Sequence, residues 1–230
     1  MPVDSADIVV IGGGVSGLSS AYFLARAGKD VVVVEKGTVG GEASGRNGGM
    51  ISERIDEPAL IPMGVESVRL WETLHDELGY PTEFIQQGRL QVAVSEEEMG
   101  ELFSERDQAL RHGVSVDLLD PWEIRDMIPG LSERTLGGMF SPNAGHANPQ
   151  RSVQAFAWAF QDRGGRLYQN TAVTGIQVAD GRVTSVETTA GTIVADVVVA
   201  AAGPQTALMA EMVGVHVPVA PARVEILATA

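Results

Sequence analysis

The chain begins with short apolar runs that alternate with glycine-rich turns and an amphipathic segment. Asp7 to Ile11 is a β-branched apolar run, which is typical of a buried strand. Apolar residues then recur at helical spacing, namely Leu18, Ala21, Tyr22 and Ala25. A second apolar run, Val31 to Val34, follows Gly28 and ends on Glu35. This order predicts a strand, a glycine turn, a helix and a second strand.

Helical and strand patterns alternate along the rest of the chain. The predicted helices cover 62–78, 96–112, a short segment from Pro121, and a segment from Pro149 to the Gly164-Gly165 pair. The predicted strands cover 84–85, 90–94, 136–140, 166–169, 173–178, 183–187, 193–194 and 197–203. Ser95 to Glu98 has the form of a capping box, and Asp180-Gly181 has that of a hairpin turn. Because residues 197–203 show no alternation, we expect a strand buried on both faces of a parallel sheet.

The glycines after the first strand have the spacing of a dinucleotide-binding turn. Gly12 permits a tight turn, Gly14 lets a pyrophosphate approach the backbone, and Gly17 allows close packing of the helix. The N–H groups of the first helical turn, which contains Val15 and Ser16, would face the phosphates. Glu35 comes eighteen residues after Gly17, near the spacing of about 20 at which an acid binds ribose hydroxyls. The alternative is a glycine turn that only packs a strand against a helix.

A second glycine-rich loop, Gly37 to Met50, indicates which dinucleotide is bound. A flavin has a flat ring system that must lie against bare backbone, and small residues allow that approach. A nicotinamide cofactor has no obvious need for such a loop. FAD is therefore the favoured cofactor, and an NAD-dependent dehydrogenase remains as the alternative.

These motifs resemble the FAD-dependent D-amino-acid-oxidase superfamily, which includes glycine oxidase, sarcosine oxidase and the flavin subunits of proline and opine dehydrogenases. The resemblance is carried by three stretches, which are Gly12 to Gly17, Glu35-Lys36, and Ala43-Ser44-Gly45-Arg46-Asn47-Gly48-Gly49-Met50. It implies that Ala43-Ser44 holds the phosphate side of FAD and that Gly48-Gly49-Met50 runs beside the isoalloxazine ring. It also places Arg46 and Asn47 near the flavin. Arg46 could stabilise a negative reduced flavin or steer a carboxylate substrate, and the alternative is a solvent-exposed loop arginine. Further along the chain, Val173 falls where the family passes a strand beside the adenine, with a core valine as the alternative. Ala202-Gly203 falls near the diphosphate.

The resemblance implies an α/β fold in which a Rossmann-like FAD-binding βαβ domain is interleaved with an α+β substrate domain. The FAD-binding domain would comprise residues 1–60 and 146–214, and the substrate domain residues 61–145 and 215–230. The expected reaction is oxidation of the C–N bond of an amino acid or secondary amine by hydride transfer to flavin. No catalytic residue is identified.

Composition narrows the possible partners. The formal net charge of −14 argues against nucleic acid. There is no cysteine, and no apolar stretch approaches the length of about 20 residues that spans a bilayer. Three histidines, His75, His112 and His216, lack the spacing of metal ligands, so no metal site is expected. These features, with no signal-peptide pattern at the start, predict a cytoplasmic enzyme without a membrane span.

The C-terminal part of the sequence predicts how much of the substrate domain is present. Family members run further, by what the resemblance implies, and the additional part would complete the substrate sheet. Val224 to Ala230 is expected to lie within a substrate-domain strand. The substrate domain is therefore expected to be C-terminally incomplete, and either a missing segment or another chain would complete it. The alternative function is an FAD-binding half or subunit of a multi-chain amine dehydrogenase that is inactive alone.

Overall fold

The computed structural model describes residues 2–54 and 57–226. The chain forms two compact units. The first unit comprises Met1–Gly48, Leu78–Thr82 and Asn148–Ala230, and the second comprises Gly49–Glu77 and Glu83–Ala147. Residues 49–60 thus group with the second unit and residues 215–226 with the first. The assignment of FAD binding and substrate binding to separate domains stays a prediction.

The helices and strands follow the predicted order closely. The helices are α1 (Val15–Arg26), α2 (Ile61–Leu78), α3 (Glu96–Arg111), α4 (Pro121–Met127), α5 (Pro149–Asp162) and α6 (Thr206–Glu211). The strands are β1 (Pro2–Ile11), β2 (Val31–Val34), β3 (Met50–Ile51), β4 (Arg89–Ala93), β5 (Asp117–Leu119), β6 (Gly137–Ser141), β7 (Gly145–His146), β8 (Arg166–Tyr168), β9 (Val173–Ala179), β10 (Arg182–Thr188) and β11 (Gly191–Ala200).

The first unit is built on a sheet with the strand order β8-β2-β1-β11-β10-β9. Strands β8, β2, β1 and β11 are parallel, whereas β10 and β9 form an antiparallel meander with β11. Helices α1 and α5 pack together through a contact between the Tyr22 and Phe156 rings, whose centroids lie 6.0 Å apart. Asn148 caps α5 by accepting a 3.1 Å hydrogen bond from the Arg151 N–H, as the sequence predicts. The predicted α/β fold is confirmed.

Strand β11 corrects the sequence analysis in two respects. Residues 193–194 and 197–203 were expected to form separate strands, but Gly191–Ala200 is one continuous strand. It pairs with β10 on one edge and β1 on the other, so a single strand joins the meander to the parallel sheet. The expected burial of both faces is also wrong, because Ile193 and Ala195 are buried while Val194 and Val197 are 44% and 48% exposed. The period of two in a strand accounts for Val194, which points away from the face of Ile193 and Ala195. Val197 lies beyond Ala195, the last buried position of the strand.

The second unit combines the antiparallel sheet β4-β6-β5 with helices α2, α3 and α4 and the short β3–β7 pair. Helix α3 begins with the predicted capping box, in which the Ser95 hydroxyl accepts from the Glu98 N–H at 3.2 Å. Ala93 of β4 is packed with Leu102 and Ala109 of α3 and with Ile61 of α2 in one apolar cluster. The sheet therefore has one face covered by these helices.

The last described segment differs from expectation. Residues 215–226 contain neither a helix nor a strand. The strand predicted for Val224–Ala230 is thus absent from residues 224–226, and residues 227–230 lie outside the described residues. Among the described residues, no helix combines the length and the apolar composition needed to cross a membrane.

Candidate functional site

A cleft of about 560 Å³ lies in the first unit, where three neighbouring parallel strands end. Its floor includes Ile11 of β1, Val34 of β2, and Val199 and Ala200 of β11. Parallel strands all present their carboxyl ends at the same edge, and ligands of open α/β sheets bind outside that edge. The volume is in the range of small-molecule and cofactor sites, about 300–1,000 Å³. We call it the strand-end cleft.

The glycine turn after β1 packs so tightly that side chains are excluded. A Cβ atom on Gly12 would lie 2.3 Å from the Ala201 carbonyl oxygen. Gly12 also has a φ of +120°, a backbone conformation that residues with a side chain rarely adopt. A Cβ on Gly17 would lie 2.0 Å from the Gly12 carbonyl oxygen. These two glycines therefore let α1 start directly against the end of β1. They have packing roles, and Gly12 also lines the cleft.

The first turn of α1 presents backbone donors to the cleft. Gly14 and Ser16 line it, and in the described part of the chain neither of their N–H groups makes a hydrogen bond. The Val15 N–H instead donates to the Ser44 hydroxyl at 3.0 Å. The first intrahelical bond runs from the Leu18 N–H to the Gly14 carbonyl at 2.9 Å. Free N–H groups and the positive end of the helix dipole together make an anion-binding site.

The Glu35 carboxylate is placed at the end of β2 by two backbone hydrogen bonds. Its Oε2 accepts from the Gly13 N–H and its Oε1 from the Gly37 N–H, both at 2.7 Å. Each carboxylate oxygen has two lone pairs, so acceptor capacity remains for a ligand hydroxyl. A Cβ on Gly13 would lie 2.9 Å from the Glu35 Cβ and Cγ atoms. The dinucleotide-binding motif does not predict this requirement for Gly13, because it leaves that position unspecified.

The loop after β2 forms another wall of the cleft through Thr38, Gly40 and the residues up to Ser44. Val39 is buried at its centre, and glutamine side chains hold both of its backbone polar groups. Its N–H donates to the Gln169 Oε1 at 2.8 Å, and its carbonyl accepts from the Gln150 Nε2 at 3.2 Å. Neither glutamine could be predicted from a local sequence pattern, because both lie more than 100 positions from Val39.

The remaining residues of the second glycine loop have different surroundings. In the described part of the first unit, the cleft lining in this loop ends at Ser44. The Asn47 side-chain amide donates to the Ala43 and Ser44 carbonyls at 2.9 and 3.0 Å, so it stabilises the turn that carries them. Arg46 and Gly48 are exposed. Gly49 and Met50 belong to the second unit, where Met50 pairs with His146 between β3 and β7.

The opposite wall comes from late parts of the sequence. The predicted residues Val173, Ala202 and Gly203 all line the cleft. Residues that the sequence analysis missed also line it, namely Thr171, Ala172, Thr206, Leu208 and Met209. The last three lie on α6, directly after the small-residue run that ends β11. A run of small residues at the end of a parallel strand, followed by a helical segment, is the sequence pattern that could have predicted these three residues.

The charged groups at the mouth of the cleft are exposed. Lys36 and Glu42 both line it and approach within 4.0 Å of each other, with side chains 51% and 71% exposed. A pair this open contributes at most about 1 kcal/mol to stability. The Lys36 ammonium is therefore available to a negatively charged ligand.

Comparison with known proteins identifies the family. The family described as DAO, FAD dependent oxidoreductase, matches residues 7–230. Sarcosine oxidase subunit beta of an Arthrobacter species is 32% identical over 228 residues, which cover 95% of this chain and 56% of that protein. The chain therefore belongs to the DAO family of FAD-dependent oxidoreductases, and the predicted family and its cofactor, FAD, are confirmed.

Solved structures agree with this result. The glycine oxidase of Geobacillus kaustophilus superimposes with a TM-score of 0.86 at 30% identity, covering 92% of this chain and 59% of that one. The L-proline dehydrogenase of P. horikoshii also gives a TM-score of 0.86, at 29% identity, with coverage of 93% and 57%. The chain thus spans little more than half the length of these relatives.

Proposed function

We propose that the strand-end cleft holds the adenosine and diphosphate part of FAD. The N–H groups of Gly14 and Ser16, with the Ser44 hydroxyl, would bind the phosphates, and Glu35 would accept hydrogen bonds from ribose hydroxyls. Lys36, Ala43, Val173, Ala202 and Gly203 would form the surrounding wall. The observation that carries this proposal is the pair of unbonded N–H groups at the start of α1, directly beside the Glu35 carboxylate.

The predicted contacts on the flavin-ring side remain part of the proposal. Arg46, Asn47 and Gly48 continue the loop that carries Ser44, and Gly49 and Met50 follow it in the second unit. We assign this segment to the flavin ring on the strength of the family resemblance. Arg46 would then supply a positive charge beside a ring that becomes negative on reduction.

We further propose that the complete protein oxidises the C–N bond of an amino acid or a secondary amine. Bound flavin would supply the electron sink for this reaction. The relatives support the substrate class, since their names include sarcosine oxidase, glycine oxidase and L-proline dehydrogenase. The protein's own part would be to orient the cofactor through the cleft residues and to hold its phosphates.

A second candidate is an FAD-binding subunit that is inactive alone. One observation favours it, namely the name of one relative, sarcosine oxidase subunit beta. The partner would then be another chain that completes the substrate domain. The cytoplasmic location predicted from the cysteine-free composition remains a proposal.

One experiment tests the cofactor and the reaction separately. The purified chain is mixed with FAD, and binding is measured by the quenching of flavin fluorescence. We expect saturable binding of FAD and none of NAD. Anaerobic additions of sarcosine, glycine, proline and D-amino acids then report reduction by loss of the yellow absorbance. Reduction would support the enzyme, whereas binding without reduction by any of them would support the subunit. Absence of FAD binding would overturn both.

A further inference from the structure

A second cavity, of about 350 Å³, lies wholly within the second unit. Its polar walls are formed by Arg54, Arg89, Gln91, Glu105 and Gln108. Its apolar part includes Ile61 and Val114. None of these residues lines the strand-end cleft, so the two sites are built from different parts of the chain. We call this the arginine cavity.

The periodicities of one strand and one helix bring these side chains together. Arg89, Gln91 and Ala93 occupy alternate positions of β4 and therefore share one face of the sheet. Glu105, Gln108 and Ala109 are three and four positions apart on α3 and share one face of that helix. Ala93 and Ala109 both belong to the apolar cluster of the second unit. Because both side chains are short, room remains above them for the cavity.

The two arginines are in different electrostatic situations. Arg54 donates to the Gln91 Oε1 at 2.9 Å and forms an ion pair with the Glu105 carboxylate. Arg89 is half-buried, and within the described residues its guanidinium group makes neither a hydrogen bond nor an ion pair. The Gln108 side chain is likewise half-buried and unbonded there.

One cationic group of the cavity has no counter-ion. Among the described residues, no carboxylate pairs with the Arg89 guanidinium group, although the chain has a formal net charge of −14. A partly desolvated cation without a counter-ion is unfavourable, and an anion entering the cavity would remove that cost. The guanidinium group presents a planar fork of donors that matches a carboxylate.

We propose that the arginine cavity binds a small carboxylate. Its carboxylate group is held by Arg89 and Arg54, with the Gln108 amide as a further donor. Its short apolar part lies against Ile61 and Val114. The volume is at the low end of the range of ligand sites, which suits a small ligand. Because the cavity shares no lining residue with the cleft, binding to it can be measured without FAD.

Binding is tested on the whole chain by calorimetric titration with butyrate in the absence of FAD. Butylamine serves as a cation of the same length, inorganic phosphate as a non-planar anion, and sarcosine as a carboxylate that carries an amine. We expect saturable binding of butyrate, weaker binding of phosphate and none of butylamine. No saturable binding of butyrate, including a result in which sarcosine alone binds, would overturn the proposal, as would phosphate binding as tightly as butyrate.

Charge variants locate the ligand. Arg89→Gln should weaken butyrate binding about tenfold or more, because it removes a charge-assisted contact. Glu105→Gln removes the carboxylate that competes for Arg54 and should tighten binding several-fold. Gln108→Glu keeps both guanidinium groups but should abolish binding. Arg182→Gln, at an exposed position on β10, is the matched control. Thermal melting checks that each variant folds, and unchanged affinity in both folded Arg89→Gln and Glu105→Gln would refute the site.

Discussion

The Gly13 N–H donates a 2.7 Å hydrogen bond to the Glu35 Oε2, which joins the glycine turn after β1 to the end of β2. The same carboxylate also accepts from the Gly37 N–H. Glu35 thus holds the backbone of Gly13 and Gly37 in place, and it also lines the cleft. The absence of a side chain at Gly13 is what makes room for it.

Removing the Glu35 carboxylate is therefore expected to weaken FAD binding. Hydrogen bonds to a charged group contribute about 1.5–3 kcal/mol, so Glu35→Ala should lower FAD affinity roughly ten- to a hundredfold. The measurement is FAD titration by fluorescence quenching. Glu101→Ala, at an exposed site on α3, is the control and should bind FAD normally. An unchanged affinity of Glu35→Ala for FAD would show that the Glu35 carboxylate does not bind the cofactor.

A bulky side chain at Gly14 should block the phosphate side of the cleft. A Cβ there would already lie 2.9 Å from the Ser44 hydroxyl oxygen, so Gly14→Val fills the space beside the free N–H groups. We expect loss of bound FAD with the far-ultraviolet circular dichroism largely kept. Gly130→Val makes the same change where a Cβ would meet nothing within 4 Å, and it should retain FAD. Normal flavin content in Gly14→Val would contradict the proposed site.

The two glutamines that hold Val39 use different atoms of their side-chain amides, so replacing each with glutamate should have different effects on FAD binding. Gln169 accepts from the Val39 N–H through oxygen, so Gln169→Glu keeps the acceptor and should bind FAD normally. Gln150 donates to the Val39 carbonyl through its amide nitrogen. Gln150→Glu therefore places a carboxylate oxygen beside that carbonyl oxygen and removes the donor. Leaving a buried carbonyl unpaired costs about 1–3 kcal/mol, and shifting this loop should lower FAD affinity about tenfold.

The control for the glutamine pair is Gln161→Glu, at an exposed position of α5. FAD titrations and apoprotein melting curves are compared for all variants. Equal affinities of Gln150→Glu and Gln169→Glu would show that Val39 does not position the loop.

Asp4 should make stability depend on pH at the acid end. Burial raises the pKa of its carboxyl, but the Tyr168 hydroxyl, the Ser5 N–H and Arg166 together outweigh this, and the pKa lies below its ordinary value. A lowered folded-state pKa gives stability that is fully present above the unfolded-state value of about 3.9. That stability is lost as the pH falls through the folded-state pKa.

The measurement is the free energy of unfolding in urea between pH 7 and pH 3. Asp4→Asn should lose about 1.5 kcal/mol at pH 7, since it removes a charged acceptor from the Tyr168 hydroxyl. The difference from the natural chain should shrink towards pH 3. Asp196→Asn, at an exposed position of β11, should show no such difference. A constant difference at all pH values would exclude a role for the Asp4 charge.

Local features of the sequence determined much of the fold. The turn from β1 into α1, the capping box at Ser95 and the cap at Asn148 each depend on residues a few positions apart. The hairpin between β9 and β10 is similar, because Asp180 and Gly181 adopt positive φ angles of 51° and 74°, which favour the two-residue turn. Such features are set by backbone geometry and short-range hydrogen bonds, so a local pattern suffices to predict them.

Tertiary structure alone decided how the site is completed. Pairing of β11 with β1 brings Ala201 against Gly12, and it lets one strand serve both the meander and the parallel sheet. Long-range packing likewise places Gln169 and Gln150 on Val39, and Arg89 with Arg54 around one cavity. These partners are far apart in the chain, and it is burial of the shared apolar cores, rather than any local preference, that holds them together.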